Sequence, residues 1–141
     1  MNRSDFQKLA LIRIQEAKIL LKNKCYDGAF YLAGYSVECG LKACIAKKTK
    51  KYDFPPNRQT VNDCYIHDLE KLIKTAELNK EFDKEKKKKR FAVFWNVVKD
   101  WNEEVRYTVK TKKEAKRDAE ALVEAISNEK NGVFQWIKKH W

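Results

Sequence analysis

The chain has 141 residues, of which 43% are hydrophobic and 36% are charged, and its formal net charge is +11. This length and apolar content exclude an intrinsically disordered chain and allow a sizeable core, so we expect residues 1–141 to form a single domain. Only four glycines and two prolines are present, which favours helices over a turn-rich β fold.

The sequence shows no sign of a membrane segment or an export signal. The N-terminal stretch carries charged residues throughout its apolar part, and no segment reaches the roughly 18 uninterrupted apolar residues of a spanning helix. The four cysteines, Cys25, Cys39, Cys44 and Cys64, lack the Cys-x-x-Cys spacing of a zinc site. We therefore expect a cytoplasmic protein with reduced thiols, no membrane partner, no metal site and no cofactor.

Two long helices are predicted in the first third of the chain. Ser4 is a candidate N-cap for the first helix, which is predicted to end near Lys22. The second is predicted from about Asp27 to Thr49. A loop is predicted to follow as far as Ile66, because this stretch contains two adjacent prolines.

Three further helices and a short C-terminal one are predicted in the second half. Asp68 can cap the third helix, and an apolar stripe from Phe91 to Val98 marks the fourth. Thr111 and Glu114 have the spacing of a capping box at the start of the fifth. No strand-length alternation of apolar and polar residues occurs. The sequence therefore predicts an all-α fold, an up-and-down helical bundle of four main helices plus one or two short helices.

The second predicted helix carries an unusual polar stripe. Tyr31, Tyr35, Glu38 and Lys42 recur at helical spacing, although the rest of the helix is almost entirely apolar or small. Such a helix is central in its bundle or lies at a subunit interface, where an unpaired charge is costly. We therefore expect Glu38 to be paired, either with Lys42 one turn away or with Arg106, whose guanidinium can bind a carboxylate through two hydrogen bonds.

The net charge suits an anionic partner such as RNA or a nucleotide. The densest basic run lies between Asp83 and Arg90 and is predicted to lead into the fourth helix or to form its start. It is either a solvated surface or part of an anion-binding patch. Tyr31, Tyr35 and Tyr107 are candidates for base stacking, with ordinary packing as the alternative.

Several segments, in this order, resemble the higher-eukaryote-and-prokaryote nucleotide-binding (HEPN) domain of the small stand-alone prokaryotic type. They are YDGAFYLAGYSVECGLKACIAK, DFPP, YIHDLEKLIKTAEL, a tryptophan followed by RYT, and GVFQWIKKHW. The resemblance covers about Ser4 to Trp141. It implies an up-and-down helical bundle that commonly forms homodimers and is involved with nucleotides or RNA. It also implies a small nucleotidyltransferase as partner, because many members are encoded beside one in toxin–antitoxin-type pairs.

The chain departs from the motif of the family's active ribonucleases, which carry Arg, four to six residues, and then His. His67 and His140 are the two histidines, and the nearest arginine upstream of His67 is Arg58, with eight residues between them. The motif therefore cannot be placed on this sequence. His67 alone is a candidate for general acid–base catalysis, since histidine titrates near neutral pH, and the alternative is that it only helps to begin the third helix.

Three function classes remain open. The first is a non-catalytic module that binds a nucleotide, RNA or a partner nucleotidyltransferase. The second is a ribonuclease toxin with another residue set, and the third is a purely structural dimerisation module. The missing Arg–His motif favours the first and third, and the net charge favours the first. The residues predicted to line a ligand site or polar cleft are Tyr31, Tyr35, Glu38, Lys42, Arg106 and Tyr107.

Overall fold

A computed structural model describes residues 1–49 and 58–141, apart from the side chain of residue 60. Within these ranges the chain forms eight α-helices and one 3₁₀ helix, which confirms the all-α prediction. The α-helices are α1 (Arg3–Lys22), α2 (Tyr26–Lys48), α3 (Arg58–Cys64), α4 (Leu69–Thr75), α5 (Asn79–Lys86), α6 (Lys89–Val98), α7 (Lys112–Ser127) and α8 (Val133–Lys138). The 3₁₀ helix, Glu103–Tyr107, lies between α6 and α7.

The helix starts follow the capping residues in the sequence, with one correction. Asn2, and not Ser4, caps α1: its side chain accepts a hydrogen bond from the Asp5 backbone N–H at 3.0 Å. The Asp5 carboxylate accepts one from the Asn2 backbone N–H at 3.0 Å. This reciprocal pair satisfies two backbone donors, whereas Ser4 already lies inside the helix.

The two other predicted caps are confirmed. The Asp68 side chain accepts a hydrogen bond from the backbone N–H of Lys71 at the start of α4. Thr111 and Glu114 form a reciprocal capping box at the start of α7, with both hydrogen bonds at 3.2 Å. Both motifs were readable because a cap depends on residues only three positions apart.

Short helices are more numerous than predicted. The predicted loop contains α3, while residues 50–57, including both prolines, lie outside the described residues. The basic run is divided: it ends α5 and begins α6, with a break at Lys87 and Lys88. Helices this short depend on tertiary packing, such as the burial of Phe82 from α5, more than on local pattern.

Helix α2 occupies the centre of the fold. It contacts α1, α4, α7, α8 and the 3₁₀ helix, and small residues allow these neighbours to approach closely. The closest approach is at Gly34, which is covered by the indole ring of Trp101. Among the described residues, no helix has the length and apolar character needed to cross a membrane.

Candidate functional site

The polar stripe of α2 contains a buried ion pair. Glu38 is only 1% exposed, and its Oε1 accepts a hydrogen bond from Nζ of Lys42 at 2.8 Å. Four residues separate the two along the helix, with the carboxylate N-terminal to the amine, which is the favourable order. The second carboxylate oxygen, Oε2, is buried without a hydrogen-bond partner among the described residues.

His67 connects this pair to the 3₁₀ helix. Its Nδ1 lies 3.0 Å from Glu38 Oε1, and its Nε2 lies 3.0 Å from Glu103 Oε2. A neutral imidazole has one N–H, so both contacts are hydrogen bonds together only when the ring is protonated. In that state two cations, His67 and Lys42, balance the two carboxylates. Asp68, and not His67, caps helix α4, and the ionic contacts of His67 among the described residues are with these two carboxylates.

Arg106 lies at the aromatic end of the site. Hydrogen bonding to Tyr31, and secondarily to Tyr107, raises the pKa of Arg106. Its guanidinium carbon lies 5.0 Å from the centre of the Tyr107 ring, and Tyr107 is 76% exposed. Among the described residues, the ion-pair partners of Glu38 are Lys42 and His67, so the structure selects Lys42 and not Arg106 from the two predicted partners.

The half-buried tyrosines of α2 form a continuous aromatic cluster with the buried Trp101. The rings of Tyr31 and Tyr35 are stacked, with centres 6.1 Å apart and planes 6° apart. Tyr31 also lies 6.1 Å from Trp101, whose indole Nε1 is buried without a partner in the described part of the chain. Burial, supported by the neighbouring Cys39 and Glu38, raises the pKa of Tyr35, so its hydroxyl group is neutral near pH 7.

A groove of about 520 Å³ adjoins His67, and we call it the acidic groove. Four carboxylates line it together with His67, Lys99 and Trp101. They belong to Asp68, Asp100, Glu103 and Glu104. Among the described residues, no group of three or more His, Cys, Asp or Glu side chains is arranged to hold a metal ion.

The structure therefore brings the six predicted cleft residues into two adjoining groups. Glu38 and Lys42 join His67 and Glu103 at one end, while Tyr31 and Tyr35 join Trp101, Arg106 and Tyr107 at the other. Sequence reasoning missed Trp101 and Glu103. Glu103 stands in an acidic cluster along the sequence, but no local pattern places it beside His67.

The comparison with protein-family models matches residues 5–139 to the HEPN domain. The chain belongs to the HEPN family. Membership connects this HEPN chain with nucleotide- or RNA-related functions in general, and HEPN domains commonly form dimers. Comparisons with curated proteins and with solved structures gave no match.

This HEPN chain also differs structurally from a protein with a paired Arg–His motif. Arg58, the nearest arginine upstream of His67, is exposed at the start of α3. Both ring nitrogens of His67 face carboxylate oxygens. Among the described residues, no ion pair or hydrogen bond joins the two side chains.

Proposed function

We propose that this HEPN protein binds single-stranded RNA or nucleotides without cleaving them, through Arg106, Tyr107 and the adjoining Tyr31–Tyr35 pair. The observation that carries the proposal is the exposed Arg106–Tyr107 pair, placed beside a second pair of stacked aromatic rings. Proteins that bind single strands combine aromatic faces for the bases with cations for the phosphates. Both are present here in a chain of net charge +11.

The charge distribution supports this placement of the phosphates. The acidic groove is a poor place for phosphate, because its four carboxylates outnumber its two basic residues, Lys99 and His67. Arg106, by contrast, is exposed and presents a planar guanidinium that suits phosphate oxygens. We therefore propose that the nucleic-acid backbone follows the Arg106 side of the 3₁₀ helix.

The contacts of His67 support the absence of cleavage. Metal-independent cleavage needs a base for the 2′-hydroxyl, an acid for the leaving oxygen and a cation for the phosphate. His67 has neither ring nitrogen free, since Glu38 and Glu103 face both. Its contacts therefore suit it to holding the 3₁₀ helix near α2 better than to proton transfer.

The proposal is tested by fluorescence anisotropy with a labelled single-stranded RNA at low and high salt. We expect binding that weakens steeply with salt, because each neutralised phosphate releases counterions. The absence of retention even at low salt would contradict the proposal and favour a module that acts through protein contacts alone.

Matched variants locate the binding surface. Tyr107→Ala should weaken binding at least about fivefold, given that base stacking contributes roughly 1–3 kcal/mol. Tyr65→Ala is its control because Tyr65 is equally exposed, at 76%. Arg106→Gln and Arg117→Gln form a second pair that removes the same charge at the site and away from it. Equal effects within either pair would show that binding depends on general charge or exposure and not on this site.

The same RNA, analysed for chain breaks, tests the non-catalytic part. We expect intact RNA with the purified protein. Cleavage that is abolished by His67→Ala would overturn this part and support a ribonuclease toxin with an unfamiliar residue set.

The partners are a further part of the proposal. We propose a homodimer and a small nucleotidyltransferase encoded beside this gene, in a toxin–antitoxin-type pair; the family resemblance supports both. The four free cysteines support a cytoplasmic location, since disulfides are rare there. Sequencing the adjacent reading frame and co-purifying its product tests the nucleotidyltransferase partner. If that frame encodes a protein of another class, and this protein does not co-purify, the proposed nucleotidyltransferase partner is contradicted.

A further inference from the structure

One face of α6 is exposed and has an apolar centre between charged ends. Val93 is 55% exposed and Val97 is 39% exposed, and half-buried Phe94 lies beside them. Arg90 lies at the start of this face, and exposed Asp100 lies in the turn two residues beyond the end of α6, where the spacing of positions 90, 93 and 97 continues. These side chains form a small exposed apolar strip on α6, which makes this face a candidate for contact with another molecule.

The charges at the N-terminal end of α6 add to the helix dipole, whereas first-turn charges usually oppose it. The positive N-terminal end carries Lys89 and Arg90, has no acidic residue in its first turn and has no side-chain cap. The negative C-terminal end has no basic residue in its last turn and leads to Asp100 and the acidic groove; the C-cap, Lys99, is the exception. In an isolated helix this arrangement is unfavourable at the N-terminal end, whereas at the C-terminal end Lys99 offsets Asp100.

The two ends cannot neutralise each other within one molecule. Arg90 and Asp100 are ten residues apart, which is about 15 Å along a helix. Neither makes a salt bridge with any of the described residues. If the same segment of a second copy packed antiparallel against this one, Asp100 of each copy would lie beside Arg90 of the other.

We propose that two copies of this chain pair antiparallel along the exposed face of α6, about a twofold axis that passes between Val93 and Val97 at the level of residue 95. Residues 90 and 100 are equally far from residue 95, and so are residues 93 and 97. Arg90 therefore faces Asp100 of the second copy, and Val93 faces Val97 of the second copy. The basic run that ends at Arg90 is thereby directed towards the acidic groove of the second copy. A twofold interface of this type is self-complementary, because each contact occurs twice.

The inference rests on the homodimer in the proposed function and is independent of RNA binding. Sedimentation velocity across micromolar concentrations measures the dimer dissociation constant. Arg90→Asp and Asp100→Arg should each weaken the dimer at least about tenfold, since like charges then face each other. The double variant keeps the net charge and reverses the pair, so it should return the dissociation constant to within about threefold of the parent. A double variant whose dimer is as weak as those of the single variants would contradict the proposed pairing of Arg90 with Asp100 of the second copy.

Val93→Asp and Ile19→Asp form a matched pair on different helices, because both residues are 55% exposed. We expect Val93→Asp to give monomers and Ile19→Asp to leave the dimer intact, with circular dichroism confirming that both remain helical. If Val93→Asp does not fold, the charge-reversal variants of Arg90 and Asp100 alone test the α6 interface. A dimer that resists Val93→Asp would overturn the α6 interface alone. Monomers at every concentration of the parent protein would overturn both the interface and the homodimer.

Discussion

The indole ring of Trp101 lies directly on the backbone of Gly34: a Cβ atom built at Gly34 would stand 2.2 Å from Cδ2 of the ring. Trp101 is only 2% exposed, so the ring has little room to move away. This contact anchors the segment that follows α6 against α2. It thereby sets the position of Glu103 and Arg106 beside the polar stripe.

We predict that Gly34→Ala lowers the free energy of unfolding by about 2 kcal/mol, because the added methyl group displaces a packed ring. This loss exceeds the gain of about 1 kcal/mol in helix propensity. Gly28→Ala is the control, since its Cβ would meet only the end of the Leu20 side chain, at 3.2 Å. Urea unfolding of both variants measures the difference. Equal stability of the two variants would mean that the packing of Trp101 does not require a glycine at position 34.

We predict that Glu38→Ala lowers the free energy of unfolding by about 3 kcal/mol, because Lys42 loses its partner in a buried setting. Glu38→Gln should cost less, since an amide oxygen still accepts a hydrogen bond. Glu16→Ala is the control: Glu16 is paired with Arg13, but its side chain is 41% exposed. Its change should stay within about 0.5 kcal/mol. Thermal melts of both Glu38 variants that match the parent would contradict the buried pair.

We predict that the four cysteines differ in their reaction with a thiol reagent at pH 8. Burial raises the pKa of Cys39 to about 11 and that of Cys44 to about 12, so both should react only on unfolding. Cys25 is exposed and should react first, while burial raises the pKa of half-buried Cys64 and slows it. Absorbance during labelling counts the thiols. Cys25→Ser should remove the fast phase, and a second fast phase that survives this change would contradict the assignment.

We predict that His140 contributes to acid sensitivity. Burial, the largest cause, lowers the pKa of His140, so the folded protein favours the neutral ring and the unfolded chain binds the proton more readily. The contribution of His140 to stability is therefore complete above its unfolded pKa of about 6.5 and is lost as the pH falls through the lower folded pKa. As the pH is lowered from 8 to 5, the melting temperature of His140→Gln should fall less steeply than that of the parent. Parallel curves for the two proteins would show that His140 has no part in the pH dependence.

The sequence by itself determined the features that depend on residues one or two helical turns apart. The helical class, the cap at Asp68 and the capping box at Thr111 all follow from local geometry, because the backbone of a helix fixes which side chains meet. For Glu38 the sequence offered Lys42, one turn away, and Arg106 as alternative partners, and the structure selected Lys42. The cap of α1 shows the limit of such reasoning, since Asn2 and Ser4 both have suitable side chains. Only the hydrogen bonds with Asp5 distinguish them.

Only the tertiary structure decided the contacts between distant segments. His67 meets Glu38 across 29 residues of sequence, and Trp101 reaches Gly34 from beyond α6. No periodicity encodes these pairs, because they depend on how α4 and the 3₁₀ helix pack against α2. The same packing decides which face of α6 stays exposed, since it buries Trp95 and leaves Val93 and Val97 at the surface. The candidate site is thus made of residue types that the sequence displays and of neighbours that only the folded chain supplies.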